Sequence, residues 1–183
     1  MKIMKFGGTS VGKPERIQQI VSLVSKETEP VIVVLSALSG TTNALVEIGN
    51  LIANGDRGTA KQTIDKLEAH YQAFIEELVK GVETSAKAKA IIAEHFEFLN
   101  IILKISFSEA LSKDILAQGE LLSTKIFCVY LEELGLDHLL LPALEFMTID
   151  HYDEPQIGSI KVKLSQILNQ HKGKKLFVTQ GYI

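Results

Sequence analysis

The sequence predicts an α/β fold built on a mainly parallel sheet. Residues 31–35 (VIVVL) form a continuous and mostly β-branched run, which is typical of a strand covered on both faces. A first apolar strand at residues 1–4 and a helix that begins at Pro14 precede it, so the opening 35 residues form a βαβ unit. A last strand is predicted at residues 175–179.

The loop after the first strand has the composition of a phosphate site. Residues 5–11 read KFGGTSV, and the paired glycines Gly7 and Gly8 let backbone N–H groups approach an anion. The helix that starts at Pro14 adds unpaired donors and the positive end of its dipole. Lys5 adds a mobile positive charge. The pattern predicts phosphoryl transfer, although a tight turn beside a solvated lysine has the same letters, and no Walker or dinucleotide glycine motif is present.

A second motif overlaps the first. Residues 8–12 fit G-x-S-x-G, the nucleophile elbow of serine hydrolases, with Ser10 as the nucleophile. An Asp-His pair at 137–138 or at 150–151 could complete a triad in the right chain order. That fold also needs an oxyanion N–H from a loop after an earlier strand, and the seven residues before Gly8 leave no room for one.

Length and composition indicate one soluble domain. The chain has 183 residues, 46% of them hydrophobic and 22% charged, with a formal net charge of −3, which disfavours nucleic acid or an anionic membrane as a partner. Cys128 is the single cysteine, which excludes an internal disulfide, and the five histidines lack metal-ligand spacing, so no metal site is predicted. Without a signal peptide or a membrane-spanning run, a cytoplasmic location is expected. Arg16 and Arg57 are the only arginines, few for an enzyme that clamps polyphosphate.

A loop rich in hydroxyl groups follows the second strand. It covers residues 36–43 and precedes a helix predicted at 44–53. Because loops at the carboxyl ends of parallel strands form the ligand crevice, this loop and the glycine loop are expected to converge. Thr42 or Asn43 could instead serve only as the helix N-cap.

Long helices fill the middle of the chain. Apolar stripes predict an antiparallel helical hairpin at about 59–105, whose surplus apolar surface suits a partner subunit, and His95 on its inner face is interpreted as a packing residue. A third helix is predicted at 112–134 and contains Gly119, which costs about 1 kcal/mol relative to alanine in a helix interior. Glu120 beside it, among apolar residues, is a candidate for binding an ammonium group rather than a solvated charge.

The remaining elements are shorter. A strand is predicted at residues 138–142, a polar segment with a possible hairpin at 148–157, and a helix at 159–170. No repeat or flexible linker divides the chain, so one domain is expected.

Four blocks of the sequence resemble aspartokinases. Residues 5–11 are similar to the signature near that enzyme's N-terminus, and two further blocks agree in order and spacing: residues 33–43 and residues 118–124 (QGELLST). Residues 178–183 (VTQGYI) resemble a strand midway through the family's catalytic domain. The resemblance covers the whole chain, residues 1–183, as the N-terminal portion of that catalytic domain.

The resemblance implies the amino-acid kinase fold, a three-layer αβα sandwich, here incomplete. It implies transfer of the γ-phosphate of ATP to the β-carboxylate of L-aspartate, giving 4-phospho-L-aspartate in the first step of lysine, threonine and methionine biosynthesis. Mg²⁺ is implied as a cofactor, held mainly by substrate phosphates and by parts of the family's domain that lack a match here. A cytoplasmic enzyme that is a homodimer when intact is also implied.

The resemblance assigns a role to particular residues. Lys5 stabilises the transferring phosphoryl group, and Thr42 and Glu120 bind aspartate, Glu120 through the α-ammonium group. Ser36 lines the same pocket. The backbone and side chains at the ATP phosphates are those of Lys5, Phe6, Gly7, Gly8 and Ser10. The acceptor carboxylate is itself the nucleophile and needs no general base.

The sequence departs from the family pattern at its end. The family's later glycine-rich segment with an arginine and a Ser-Asp pair has no match, nor have its nucleotide-base pocket and regulatory domains. We therefore expect residues 1–183 alone to have little or no kinase activity. Three other functions stay open: an amino-acid kinase with a different acceptor, a serine hydrolase using Ser10, and an aspartate-binding module without turnover.

Overall fold

A computed structural model describes residues 1–105 and 107–181 of the chain. The elements in chain order are β1 (Lys2–Phe6), α1 (Gly8–Val11), α2 (Pro14–Val24), β2 (Val31–Leu35), α3 (Thr41–Ala53), α4 (Arg57–Leu78), α5 (Val82–Ile102), α6 (Glu109–Glu133), β3 (Leu139–Leu140), α7 (Ala143–Phe146), α8 (Ile157–Gln170) and β4 (Leu176–Gln180). None of the helices in this described part of the chain combines the length and apolar character needed to cross a membrane.

The strands of the described residues form one parallel sheet of four, in the order β1-β2-β4-β3. Phe6 pairs with Leu35 and Leu35 with Gln180, so β1, β2 and β4 end at the same edge of the sheet. The prediction of an α/β fold with a parallel sheet is confirmed. We call the edge where these three strands end the carboxyl edge.

Helices cover both faces of the sheet. On the inner face, Val33 and Leu35 of β2 pack in one large core with helices α2 to α6. On the outer face, Ile32 of β2 and Phe177 of β4 pack in a smaller core with α7 and α8. β2 is therefore buried on both sides, which explains its run of β-branched residues. The three-layer arrangement expected of the αβα sandwich is present.

The two long helices expected at about 59–105 are α4 and α5, joined by residues 79–81. They run antiparallel, since a three-residue turn joins them and Tyr71 of α4 packs against Phe96 of α5 with ring centroids 6.0 Å apart. Glu133 of α6 closes the turn by accepting hydrogen bonds from the Gly81 N–H at 2.8 Å and from the Thr84 hydroxyl at 2.6 Å. The hairpin is thereby tied to α6 at its tip.

The start of α3 differs from the prediction. The helix begins at Thr41, three residues earlier than expected, and Gly40 is its N-cap with φ at +84°, a value that favours glycine. Thr42 and Asn43 lie in the first turn and are not caps, so that prediction was wrong. The cause is a tertiary contact, because the Thr41 Oγ1 hydroxyl lies 3.0 Å from the Tyr71 hydroxyl of α4.

Gly119 lies where α6 crosses the loop after β2. A Cβ at this position would be 2.9 Å from the Cβ of Ala37 and 3.2 Å from both Leu45 Cδ1 and Thr41 Cγ2. Real Cβ atoms do not approach a methyl group so closely. The glycine therefore lets α6 pack directly against the loop and α3.

Gly119→Ala should destabilise the fold by about 1–3 kcal/mol, because the overpacking cost exceeds the gain in helix propensity of about 1 kcal/mol. Gly58→Ala is the matched control. Gly58 is an exposed helical glycine of α4 whose Cβ would meet its nearest atom at 3.8 Å, so this variant should be as stable as the original chain or slightly more so. Urea unfolding of both variants measures the difference. An equal gain in the free energy of unfolding for both variants would contradict this prediction, because it would mean that α6 and the loop after β2 move apart at no cost.

Candidate active site

The two loops predicted to converge are in contact at the carboxyl edge. A Cβ on Gly8 would lie 3.2 Å from the Ala37 carbonyl oxygen, and one on Gly12 would lie 2.6 Å from the Cβ of Ser39. These glycines are required by the close approach of the loop after β1 to the loop after β2. Segments that follow neighbouring parallel strands thus form one continuous surface.

The glycine loop starts a single turn of helix. The Gly7 carbonyl accepts hydrogen bonds from the N–H groups of Ser10 at 2.8 Å and Val11 at 3.2 Å, which forms α1. The N–H groups of Gly8 and Thr9 lie before the first intrahelical bond and face the helix N-terminus. The helix closest to the glycines is therefore α1, and not α2 as the sequence suggested.

Lys5 approaches the carboxyl edge from the outer face of the sheet. It pairs with Val34, whose side chain packs in the outer core, whereas its neighbours Met4 and Phe6 pack against the inner core. Lys5 is exposed and lies one residue before the end of β1. Its flexible four-carbon side chain lets the ammonium group take many positions near this edge.

Phe6 and Ser10 line a separate cleft beside β1. The cleft has a volume of about 350 Å³, and Arg16 and Leu23 of α2 form its far wall. The Arg16 guanidinium donates a hydrogen bond to the Thr9 carbonyl and so ties α2 to α1. Of the residues expected at the ATP phosphates, Phe6 and Ser10 thus share this cleft with Arg16.

Glu120 is buried at the carboxyl edge. Its residue is only 7% exposed, which excludes a solvated surface carboxylate. Its Oε2 accepts a hydrogen bond from the Gly181 N–H at 2.6 Å, and the same N–H lies 3.1 Å from the Leu35 carbonyl. The carboxylate therefore sits where β2 and β4 end, carried there by α6.

Residues 36–42 comprise the loop after β2 and the first two residues of α3, and this segment is held near both ends. The Ser36 carbonyl accepts a hydrogen bond from the Ser123 hydroxyl of α6 at 2.9 Å, and at the other end Thr41 is bonded to Tyr71. Ser36 is half-buried and Thr42 is exposed. Ser36 of the loop, Thr42 of α3 and Glu120 of α6 are thus brought to the same edge.

Gln180, the last residue of β4, links the two helical layers across this edge. Its Oε1 accepts a hydrogen bond from the Ala143 N–H of α7 at 2.8 Å, and its Nε2 donates to the Thr124 hydroxyl of α6 at 2.8 Å. Gln180, Ser123 and Tyr71 are not among the site residues predicted from the sequence. A polar side chain that ends an apolar strand, and a tyrosine within an apolar helical stripe, were the available signals, since such groups need partners when buried.

His95 is a packing residue, as interpreted from the sequence. It is 5% exposed, and its Nδ1 lies 2.6 Å from the Gln118 Oε1, while its Nε2 is buried without a hydrogen bond in the described structure. Burial, together with the charge of Lys125, lowers the pKa of His95 below its ordinary value, although Gln118 and Glu94 oppose this. The neutral ring is therefore the form that the fold accommodates.

Stability should fall as the pH drops below about 6.5, because the unfolded chain then binds the proton that folded His95 resists. Above that pH the contribution of His95 is fully present. His95→Gln removes the titrating group, so its stability should change less between pH 7 and pH 5. His151→Gln, at an exposed histidine, is the control and should follow the original chain. Identical pH profiles for His95→Gln and the original chain would contradict the assignment.

The hydrolase triad is not assembled. Asp137 forms an ion pair with Lys174, and the His138 Nδ1 lies 2.8 Å from the Leu136 carbonyl, next to the amino ends of β3 and β4. Ser10 follows the opposite, carboxyl end of β1. The Oδ1 of Asp150 accepts two backbone N–H groups of its own turn, at 2.8 Å and 3.1 Å.

A parallel α/β sandwich with a glycine loop and a buried carboxylate at its carboxyl edge has groups suited to binding a phosphate and an ammonium group. The chain matches the amino acid kinase family over residues 1–183 and belongs to this family. Within it, the chain is similar to aspartokinases. It is 28% identical over 185 residues to bifunctional aspartokinase/homoserine dehydrogenase 2 of Escherichia coli (strain K12), an alignment that covers 100% of this chain and 22% of that protein.

Two further comparisons agree. Over 144 residues the chain is 39% identical to aspartokinase 3, chloroplastic, of Arabidopsis thaliana, covering 73% of this chain and 24% of that protein. The crystal structure of E. coli aspartokinase III in complex with aspartate and ADP (R-state) matches with a TM-score of 0.80 and 25% identity, covering 99% of this chain and 40% of that one. The chain thus spans less than half the length of each. The resemblance predicted from the sequence is confirmed.

Proposed function

We propose that this chain is part of an aspartate kinase, which transfers the γ-phosphate of ATP to the β-carboxylate of L-aspartate and forms 4-phospho-L-aspartate. This is the first step toward the amino acids made from aspartate. The observation that carries the proposal is the position of Glu120, a buried carboxylate at the edge where the loops after β1 and β2 meet. Relatives named as aspartokinases, and a structural neighbour that holds aspartate and ADP, support it.

The aspartate side of the site uses Glu120, Thr42 and Ser36. A buried carboxylate is suited to an α-ammonium group, because charge-assisted hydrogen bonds are strong where water is excluded. Thr42 is exposed in the first turn of α3, where its hydroxyl and the adjacent backbone N–H groups can bind a carboxylate. Ser36 lies half-buried at the other end of the same loop.

The phosphate side uses Lys5, the amides of the Gly7–Gly8 turn, Phe6 and Ser10. In the reaction an oxygen of the β-carboxylate attacks the γ-phosphorus, and the bond from that phosphorus to the bridging oxygen of ADP breaks. The carboxylate carries its own charge, so no base is needed. The protein must position both substrates and offset the charge of the transferring group, which is the role assigned to the Lys5 ammonium.

Mg²⁺ neutralises phosphate charge when it is bound with a nucleotide. Residues 1–105 and 107–181 contain no group of three or more His, Cys, Asp or Glu side chains arranged to hold a metal ion. Magnesium commonly binds through substrate phosphates with only one or two carboxylates, so no side chain here is assigned to it. We further propose that the intact protein is a cytoplasmic homodimer.

The test compares the 183-residue chain with the complete product of its gene, whatever that product's length. ADP release and trapping of the acyl phosphate with hydroxylamine are measured with L-aspartate and ATP. We expect aspartate-dependent turnover in the complete product and little or none in residues 1–183, because the chain has only two arginines for polyphosphate. Normal turnover by residues 1–183 alone would contradict the second expectation.

Three alternatives are decided by the same preparation. A panel of acceptors (glutamate, acetate, phosphate and carbamate) replaces aspartate, and a higher kcat/KM for any of them reassigns the acceptor within the family. Labelling of Ser10 by a fluorophosphonate would support a hydrolase instead. Aspartate binding by calorimetry without turnover in the complete product would support a binding module.

A further inference from the structure

The helical hairpin touches the loop after β2 through one buried tyrosine. Tyr71 of α4 is 0% exposed, and its hydroxyl lies 3.0 Å from Thr41 Oγ1. Burial raises the pKa of Tyr71 above its ordinary value, so the hydroxyl stays protonated at physiological pH. This hydrogen bond goes to the segment of residues 36–42 and not to the hairpin itself.

This contact holds the end of the loop that carries Thr42. Thr41 is the first residue of α3, its N–H donates to the Leu38 carbonyl at 3.0 Å, and Gly40 before it has a left-handed backbone. The other end of the loop is held at Ser36, by α6. The direction in which Thr42 leaves the loop therefore depends on where the Thr41 hydroxyl is held.

The packing beside this contact is nearly complete. A small cavity of about 10 Å³ lies next to Tyr71 and Thr41, and Gln118 and Gly119 of α6 also line it. If the tyrosine hydroxyl is removed, the buried Thr41 hydroxyl loses its side-chain partner, which favours rotation of the first turn of α3. The ring of Tyr71 keeps its packing against Phe96, so the core should remain intact.

We propose that Tyr71 is a positioning residue that sets the affinity for the amino-acid acceptor by holding Thr41, and through it Thr42, in place. The inference rests on the proposed function, since it assigns the acceptor to the segment of residues 36–42. It extends the site to the helical hairpin, an element that touches neither substrate.

The test measures KM for aspartate, KM for ATP and kcat in the complete gene product. Tyr71→Phe and Thr41→Val, which remove one hydroxyl each, should raise KM for aspartate by about three- to thirty-fold while KM for ATP changes less than about two-fold. Thr41→Ser keeps the hydroxyl and should restore the original KM. The double variant should be no worse than either single variant, because both remove the same bond.

Tyr130→Phe is the matched control, since Tyr130 is a buried tyrosine of α6 with no role assigned in the site. It should leave all three constants unchanged. A merely structural role for Tyr71 predicts a lower melting temperature with unchanged KM for aspartate, or additive losses in the double variant, and either result overturns the inference. If the original protein does not use aspartate, the proposed function itself is wrong. That measurement precedes the variants, so it is distinguished from a failure of the inference on Tyr71.

Discussion

Lys5→Ala should lower kcat of the complete gene product by about a hundred- to a thousand-fold. The transferring phosphoryl group carries charge that must be offset in the transition state, and removal of one preorganised donor commonly costs a hundred- to a thousand-fold. Lys5 is the cation assigned to that task. Because Lys5 is exposed on β1, its replacement should change the free energy of unfolding by less than about 0.5 kcal/mol.

Lys2→Ala is the control for this experiment. Lys2 lies on the same strand and forms a surface ion pair with Glu27, away from the carboxyl edge. It should keep kcat within about two-fold, since surface ion pairs contribute little. Lys5→Arg keeps the positive charge but replaces the compact ammonium group by a planar guanidinium, so it tests whether the shape of the cation matters. A kcat for Lys5→Ala within ten-fold of the original would remove Lys5 from the mechanism.

Glu120→Gln should raise KM for aspartate by about thirty- to 160-fold, with KM for ATP nearly unchanged. The amide oxygen can still accept the Gly181 N–H, so the edge of the sheet should keep its structure. What is lost is the negative charge opposite the α-ammonium group, and charge-assisted bonds of this kind contribute about 2–3 kcal/mol.

An acceptor without an amino group distinguishes loss of the Glu120 charge from a general loss of activity in Glu120→Gln. The original protein should prefer aspartate strongly over succinate, and Glu120→Gln should lose most of that preference. Glu133→Gln is the matched control on the same helix, since Glu133 closes the hairpin turn at Gly81 and Thr84. It should lower stability and leave the preference intact. An unchanged preference in Glu120→Gln would show that another group binds the ammonium.

Elements whose cause is local could be predicted from the sequence. The apolar run of β2 required burial on both faces, and the sheet has helices on both. The meeting of the loops after β1 and β2 followed from parallel topology alone. Glu120 was recognised because a glycine and a buried carboxylate each destabilise an apolar helix, so that their presence together indicates a function.

Features that depend on distant partners could not be predicted. The start of α3 is set by the contact of Thr41 with Tyr71, thirty residues away in the chain. The Glu120 carboxylate meets Gly181 across 61 residues. Hydrophobic periodicity does not reveal such pairs, because each partner by itself fits the pattern of an ordinary helix or loop. The turn of α1 was missed for a different reason, since four residues are too few to show a helical period.

The order of the strands has a consequence for how the protein is made. β4 lies between β2 and β3 although it comes last of the described strands, so its partner β2 emerges from the ribosome some 140 residues earlier. Until β4 is synthesised, one side of β2 has exposed backbone groups that can pair with other nascent chains. The carboxyl edge, with Glu120 against Gly181, forms only when that insertion is complete, which places its assembly late in folding.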